Sequence, residues 1–204
     1  MFRMSKQIII SISREYGSGG HEIARHLAER FNLPMYDHNL LDEIAAGKQA
    51  DAERLAKFDE APKMKFLTRS VRGFSSSPEQ NIAEMQFEFI REKAASGESF
   101  IIVGRCSETV LSDYECMIPI FVIGDYETKL ERVMERRNMS AKEAEQAIQR
   151  HDRSRKAYHN HYCDIKWGDS RNYEVTINSS KLGIEGTVNY LAQYIEARAE
   201  MIPE

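Results

Sequence analysis

Apolar, β-branched residues dominate Ile8 to Ile12 and stop before a glycine-rich stretch, Gly17-Ser18-Gly19-Gly20. Beyond it Ile23, Ala24, Leu27 and Ala28 recur at helical spacing. This pattern predicts a strand, a glycine turn and an amphipathic helix in succession. Asn32-Leu33-Pro34 ends that helix, and Met35-Tyr36 starts a short extended piece. Asp37 or Asn39 can then cap a helix carrying Leu40, Leu41 and Ile44. Residues 48–80 are charged, interrupted by Pro62, and read as a helical insert. Ile82, Met85, Phe89 and Ile90 mark a helix over 81–96, and Ser99–Gly104 reads as a second buried strand. Ile118–Ile123 is a third strand, followed by a helix from Glu127 to about Asn138. Ser140 with Glu143 forms a capping box for the next helix. Val175–Asn178 is a fourth strand, and Ile184–Ala199 a closing helix. Strands that alternate with helices of this length predict one α/β domain over 1–204, with a mostly parallel sheet and helices on both faces. Ligands of such sheets sit beyond the carboxyl ends of the strands.

The glycine turn lies at such an end. Glycines let backbone N–H groups approach a bound group closely, and the opening turn of the next helix adds unsatisfied amides and the positive end of its dipole. Arg14, Gly17, Ser18, Gly19, Gly20, His21 and Glu22 are therefore candidates for an anion cradle, with the phosphates of a nucleotide as the anion. The usual phosphate loop reads G-x-x-x-x-G-K-[ST]. Counting back from the helix puts Gly20 in the lysine position and Arg14 at the first glycine, and Glu22 takes the hydroxyl position in the frame shifted by one. A slip of one residue puts His21 in the lysine position instead. A plain β-to-α turn without a ligand is the alternative.

The composition narrows the class. With 28 Lys plus Arg against 32 Asp plus Glu, the chain carries a net charge of −4, which argues against a general nucleic-acid binder. Its 42% apolar and 29% charged residues are those of an ordinary globular protein. Cys106, Cys116 and Cys163 are widely spaced and lack a CxxC pair, so reduced thiols in a cytoplasmic protein are expected and no metal site is assigned. No apolar run is long enough for a signal peptide or a membrane span, so no membrane partner is expected.

One segment departs from the acidic average. Between Arg136 and Tyr173, Arg136, Arg137, Arg150, Arg153, Arg155 and Lys156 cluster, so that 136–173 reads as a lid whose guanidinium groups neutralise a transferring phosphate. Solvent-facing charge is the plainer meaning for about half of them. Tyr158 and Tyr162 have the spacing of a packing stripe, His159 and His161 lack a third metal ligand nearby, and Trp167 is expected to anchor its loop. Lys63, Lys65, Arg69 and Arg72 in the insert have the composition of a solvated helix face.

Taken in order, SREYGSGGHEIA, LPMYDHNLLDEIA, IVGRC, HDRSRKAYHNHY, KWGD and INSSKLGIEGTV resemble the cytidylate kinase-like family, a branch of the nucleoside monophosphate kinases with the P-loop fold. The resemblance spans nearly the whole chain. It implies a three-layer α/β/α fold with about five strands, a lid, ATP as donor and Mg²⁺. Where cytidylate kinases carry GKG or GKS this chain has Gly19-Gly20-His21, and where they carry Gly-Arg-Asp it has Gly104-Arg105-Cys106. Arg105 and Arg155 fall on arginines that those kinases use. The expected activity is phosphoryl transfer from ATP to a nucleoside monophosphate, with Arg105, Arg150, Arg153, Arg155 and His21 as catalytic candidates. Asp37 and Arg105 are candidates for holding the acceptor, and a homodimer through 48–96 is a further expectation. A nucleotide-binding module with little turnover is the alternative, because the loop lysine is missing.

Overall fold

The computed structural model describes residues 6–37, 40 and 78–203. The predicted helix after Asp37, apart from Leu40, and the insert with its lysines and arginines up to residue 77 lie outside the described residues, as does most of the expected dimer surface.

Five strands form one parallel sheet: β1 (Ile9–Arg14), β2 (Met35–Tyr36), β3 (Phe100–Val103), β4 (Met117–Ile123) and β5 (Val175–Asn178). Their spatial order is β2-β3-β1-β4-β5. A parallel sheet covered on both faces needs strands that are apolar throughout. Ile8, Ile9, Ile10 and Ile12 in and beside β1, and Phe100, Ile101 and Ile102 in β3, are accordingly fully buried. Ile9 is in register with Phe100 on one side and Met117 on the other, so β1 is the central strand. The buried hydroxyls of this strand find partners: Ser11 and Ser107 share a hydrogen bond of 2.8 Å.

Helices connect the strands: α1 (Gly20–Phe31), α2 (Pro78–Ala95), the single turn α3 (Ser107–Val110), α4 (Tyr126–Arg137), α5 (Ala141–Tyr162) and α6 (Ser179–Met201). α1 lies against α6, α2 against α3, and α4 against α5. The apolar stripe of α1 is the one read from the sequence, with Ile23, Ala24, Leu27 and Ala28 all buried. α6 is broken at Gly183, whose φ of 67° and ψ of −177° are non-helical.

α5 runs further than the sequence pattern suggests: one helix of 22 residues carries both its predicted start and the basic, tyrosine-rich stretch. The capping box is present, with Glu143 N donating to Ser140 Oγ (3.4 Å) and Ser140 N donating to Glu143 Oε2 (2.9 Å). Ser140→Ala should therefore cost about 1 kcal/mol of stability, read as a lower urea midpoint at unchanged slope.

After β1 the chain builds β2 and β3 on one side and then returns to add β4 on the other. The carboxyl end of β1 is thus a switch point, where a crevice opens between the diverging connections.

Candidate functional site

The residues after β1 fill that crevice. Gly17 and Gly19 have φ of 82° and 79°, a region that glycine enters without strain. Their hydrogens are also required by space. A Cβ on Gly17 would lie 2.9 Å from the backbone oxygen of Lys129 in α4, and one on Gly19 would run into the side chain of Ile184. Ser18 between them is fully buried, and its hydroxyl turns inward to donate to Glu15 O (2.9 Å). Its carbonyl accepts from Arg132 Nη1 (3.0 Å) and from Ser179 Oγ. The loop is clamped by α4 on one side and by the start of α6 on the other. Ile23 N is bonded back to Gly19 O at 2.9 Å, so the opening turn of α1 begins directly at the loop. Its amides have no partner within the helix and point toward the crevice mouth.

A cavity of about 930 Å³ opens over this turn. Six arginines line it, Arg14, Arg25, Arg132, Arg136, Arg137 and Arg155, together with His21 and the carboxylates Glu15, Glu22 and Glu135. No lysine lines it. Lys129 lies nearby but is committed, its ammonium 2.8 Å from Glu15 and 4.0 Å from Asp152. Asp152 in turn accepts from Tyr16 N at 2.6 Å, so a buried ion network fixes the loop backbone to α5. Burial pushes the Asp152 carboxyl above the usual range, against the pull of the Tyr16 amide and Lys129.

Gly20 and Arg14 form an interlocked pair. A Cβ on Gly20 would lie 2.6 Å from the Cβ of Arg14 and 3.0 Å from its Cγ. The arginine stem thus lies across the ground where a side chain at position 20 would begin. The cation of this pair stands at the end of β1 and the glycine at the start of α1.

The other candidates divide into those at the cavity and those elsewhere. Arg155 reaches the loop, donating from Nη1 to Arg14 O at 3.3 Å and standing 5.6 Å over the ring of Tyr16. Its Nε is buried and has no hydrogen-bond partner among the described residues. Arg150 and Arg153 are not brought there. They lie on the exposed side of α5 with Gln146, Gln149 and Ser154, because a helix whose inner stripe holds Ala144, Ile148, Asp152, Arg155 and His159 turns positions 150 and 153 away from it. Arg136 and Arg137, read as lid residues, line the cavity from α4. Trp167 packs edge-on against Phe121 at 5.3 Å and so holds its loop, and Tyr158 packs against Tyr162 at 4.8 Å.

His21, Asp37 and Arg105 come together beside the cradle. His21 Nε2 is in hydrogen-bond contact with Asp37 Oδ2, and Arg105 Nη2 donates to Asp37 O at 3.3 Å. Asp37 and Arg105 are buried and His21 is half-buried. Arg105 has the left-handed φ of 64°, between Gly104 at 78° and Cys106 at 55°. This three-residue twist turns the chain sharply out of β3 and carries the Arg105 guanidinium to Asp37.

Sequence reasoning missed Arg25, Arg132 and a buried hub at the inner face of α5. Arg132 lies one turn before Arg136 on α4, and Arg25 one turn after His21 on α1, so helical spacing could have drawn both in. In the hub, Glu108 Oε1 accepts from His159 Nε2 (2.8 Å) and Tyr173 Oη (3.1 Å), with Ser13 Oγ at 3.4 Å. His159 is thus a core residue rather than a surface histidine.

Three comparisons with known proteins place these features. The model of the cytidylate kinase-like family matches residues 9–181. No curated protein matches the sequence. A crystal structure of an uncharacterized protein from Eubacterium ventriosum is 42% identical, with 93% of this chain and 99% of that one covered at a TM-score of 0.74. Shikimate kinase from Bacteroides thetaiotaomicron (13% identity, 93% and 98% covered, TM-score 0.55) and a sugar kinase from Janibacter sp. (14%, 97% and 99%, 0.53) share the fold.

Proposed function

The chain belongs to the cytidylate kinase-like family, and we propose from that premise that it is a phosphotransferase moving the γ-phosphoryl group of ATP to a small acceptor, with a nucleoside monophosphate the first to test. The observation that supports this most is the cavity over the opening turn of α1, walled by six arginines and floored by two left-handed glycines. A triphosphate is the ligand whose charge and size suit it. Arginines outnumber carboxylates on the wall, and the glycines leave the backbone bare.

Each residue has a role in this reading. The amides of the glycine turn hold the β-phosphate. Arg14 carries the charge that the loop lysine supplies elsewhere. Arg155, bridging the loop and α5, neutralises charge spread over the transferring oxygens. Arg105, Asp37 and His21 position the acceptor at the neighbouring strand end. Mg²⁺, when bound, neutralises the donor oxygens; phosphates and water suffice as most of its ligands, with Glu22 the carboxylate placed to assist.

Gly20 in place of lysine favours a second reading, a nucleotide-binding module without turnover. Two measurements separate them. ATP·Mg²⁺ at about 100 times its dissociation constant should stabilise the protein by about 2.7 kcal/mol, visible as a raised Tm. A coupled assay for ADP release over a panel of monophosphates and small alcohols should then find turnover on at least one acceptor, falling about 100-fold in Arg155→Ala. Binding without turnover on any acceptor assigns the chain to the second reading, and no binding removes both.

A further inference from the structure

Two of the three cysteines meet under the lid helix. Cys163 caps the carboxyl end of α5, and Cys106 is the residue immediately after Arg105. Both are buried, and both belong to the same small core cluster. With Ala83 and Tyr158 they form a small cluster under Phe87, Tyr162 and Ile165. No set of three or more His, Cys, Asp or Glu residues suited to a metal ion occurs among the described residues.

We propose that Cys106 and Cys163 are a peroxide-responsive dithiol, with Cys163 the attacking sulfur and Cys106 the resolving one, whose disulfide ties the end of the lid helix to the strand end that carries Arg105. Three observations converge on it. The first is that both cysteines share one buried cluster of four residues, the proximity a bridge requires. The second is the hub beside them, in which His159, its imidazole fixed by Glu108, also accepts the Cys163 N–H on its backbone carbonyl at 2.8 Å. Hydrogen bonds from Cys106 and His159 hold the Cys163 thiol down to about 6, whereas burial pushes the Cys116 thiol up. The third is the apolar roof, which excludes bulky charged thiols and leaves a small neutral peroxide as the oxidant.

The chemistry balances as follows. The Cys163 thiolate attacks one peroxide oxygen, the O–O bond breaks, Cys163 becomes a sulfenic acid, and the departing hydroxide takes the proton held on His159 to leave as water. Cys106 then attacks the sulfenic sulfur, the S–S bond forms, and the sulfenic hydroxyl leaves with the Cys106 proton as a second water. Two thiols are oxidised and one peroxide is reduced.

The crosslink is independent of the kinase reading, because it is detected on the protein itself. The full chain is treated with hydrogen peroxide, denatured and titrated for thiols, and its peptides are mapped by mass spectrometry. The titre should fall from three thiols to one, with a single linked peptide pair carrying residues 106 and 163, and dithiothreitol should restore all three. Cys116→Ser should leave the crosslink intact, whereas Cys163→Ser should abolish it. Cys106→Ala, an apolar replacement that leaves the hub in place, should stop the reaction at Cys163 sulfenic acid, trapped with dimedone. A titre unchanged by peroxide, a linked peptide containing Cys116, or oxidation that bypasses Cys163 would overturn the proposal.

Discussion

Arg14→Ala is expected to lower phosphoryl transfer on the order of a thousandfold while the protein keeps its fold. The argument is steric as well as electrostatic. The Arg14 stem stands where a side chain at position 20 would start, the distance from a Cβ there to Arg14 Cβ being only 2.6 Å. Position 20 is therefore closed to lysine while position 14 is arginine. Gly20→Ala should displace the Arg14 stem and reproduce most of the Arg14→Ala loss, although alanine is the better helix former at an ordinary position. The double variant Arg14→Gly, Gly20→Lys restores the arrangement of the usual loop and should recover activity well above either single change. Steady-state rates for the four proteins decide it: additive losses in the double variant would show that the two positions do not exchange a cation.

Glu108→Ala should cost about 3–5 kcal/mol, enough to unfold much of a marginal domain at 37 °C. Glu108 is 4% exposed and holds His159, Tyr173 and Ser13, which come from α5, the segment before β5, and β1. Removing the carboxylate leaves a buried imidazolium without its counter-charge. Burial alone would strip the His159 proton, but its bonds to Cys163 and Glu108 hold its pKa up at about 10. A raised histidine contributes stability that is complete below its unfolded value near 6.5 and is lost as pH rises toward 10. The Cys163 thiol, depressed to about 6, does the reverse: its contribution is complete above an unfolded value near 9 and is lost as pH falls through 6. Between pH 6.5 and 9 the folded pair holds one proton, on His159, and the unfolded pair also holds one, on Cys163. The two slopes cancel, so urea-derived stability should be nearly flat there in the native chain. In Cys163→Ser the thiol slope is gone, and stability should fall with rising pH.

Much of this architecture is written in local pattern. The strands around Ile10, Ile101 and Ile120, the stripe of α1 and the Ser140–Glu143 cap each depend on neighbours within a few residues, and each is where periodicity puts it. Arg105 at a strand end and Arg155 on the inner side of α5 were likewise indicated by the resemblance. What local pattern does not contain is direction across the fold. Arg150, Arg153 and Arg155 have the same chemistry, yet only Arg155 turns toward the loop, since the face is chosen by what α5 packs on. His21 has its place in the motif and lines the cavity, but its contact with Asp37, just past β2, is a pairing across the fold that no local pattern contains. Glu108 carried no signal at all: a single acid after a strand is ordinary until His159 and Tyr173 arrive from the far end of the chain.

The order of the sheet also bears on how the protein is made. β1 leaves the ribosome before β3 and β4, yet it needs Phe100 on one edge and Met117 on the other before its backbone groups are paired. Until β4 has emerged, the isoleucines of β1 are an unpaired, aggregation-prone segment. Such late closure of a central strand slows folding. Nascent chains truncated before residue 117 should accordingly depend on chaperones, whereas chains released after β4 can complete the sheet.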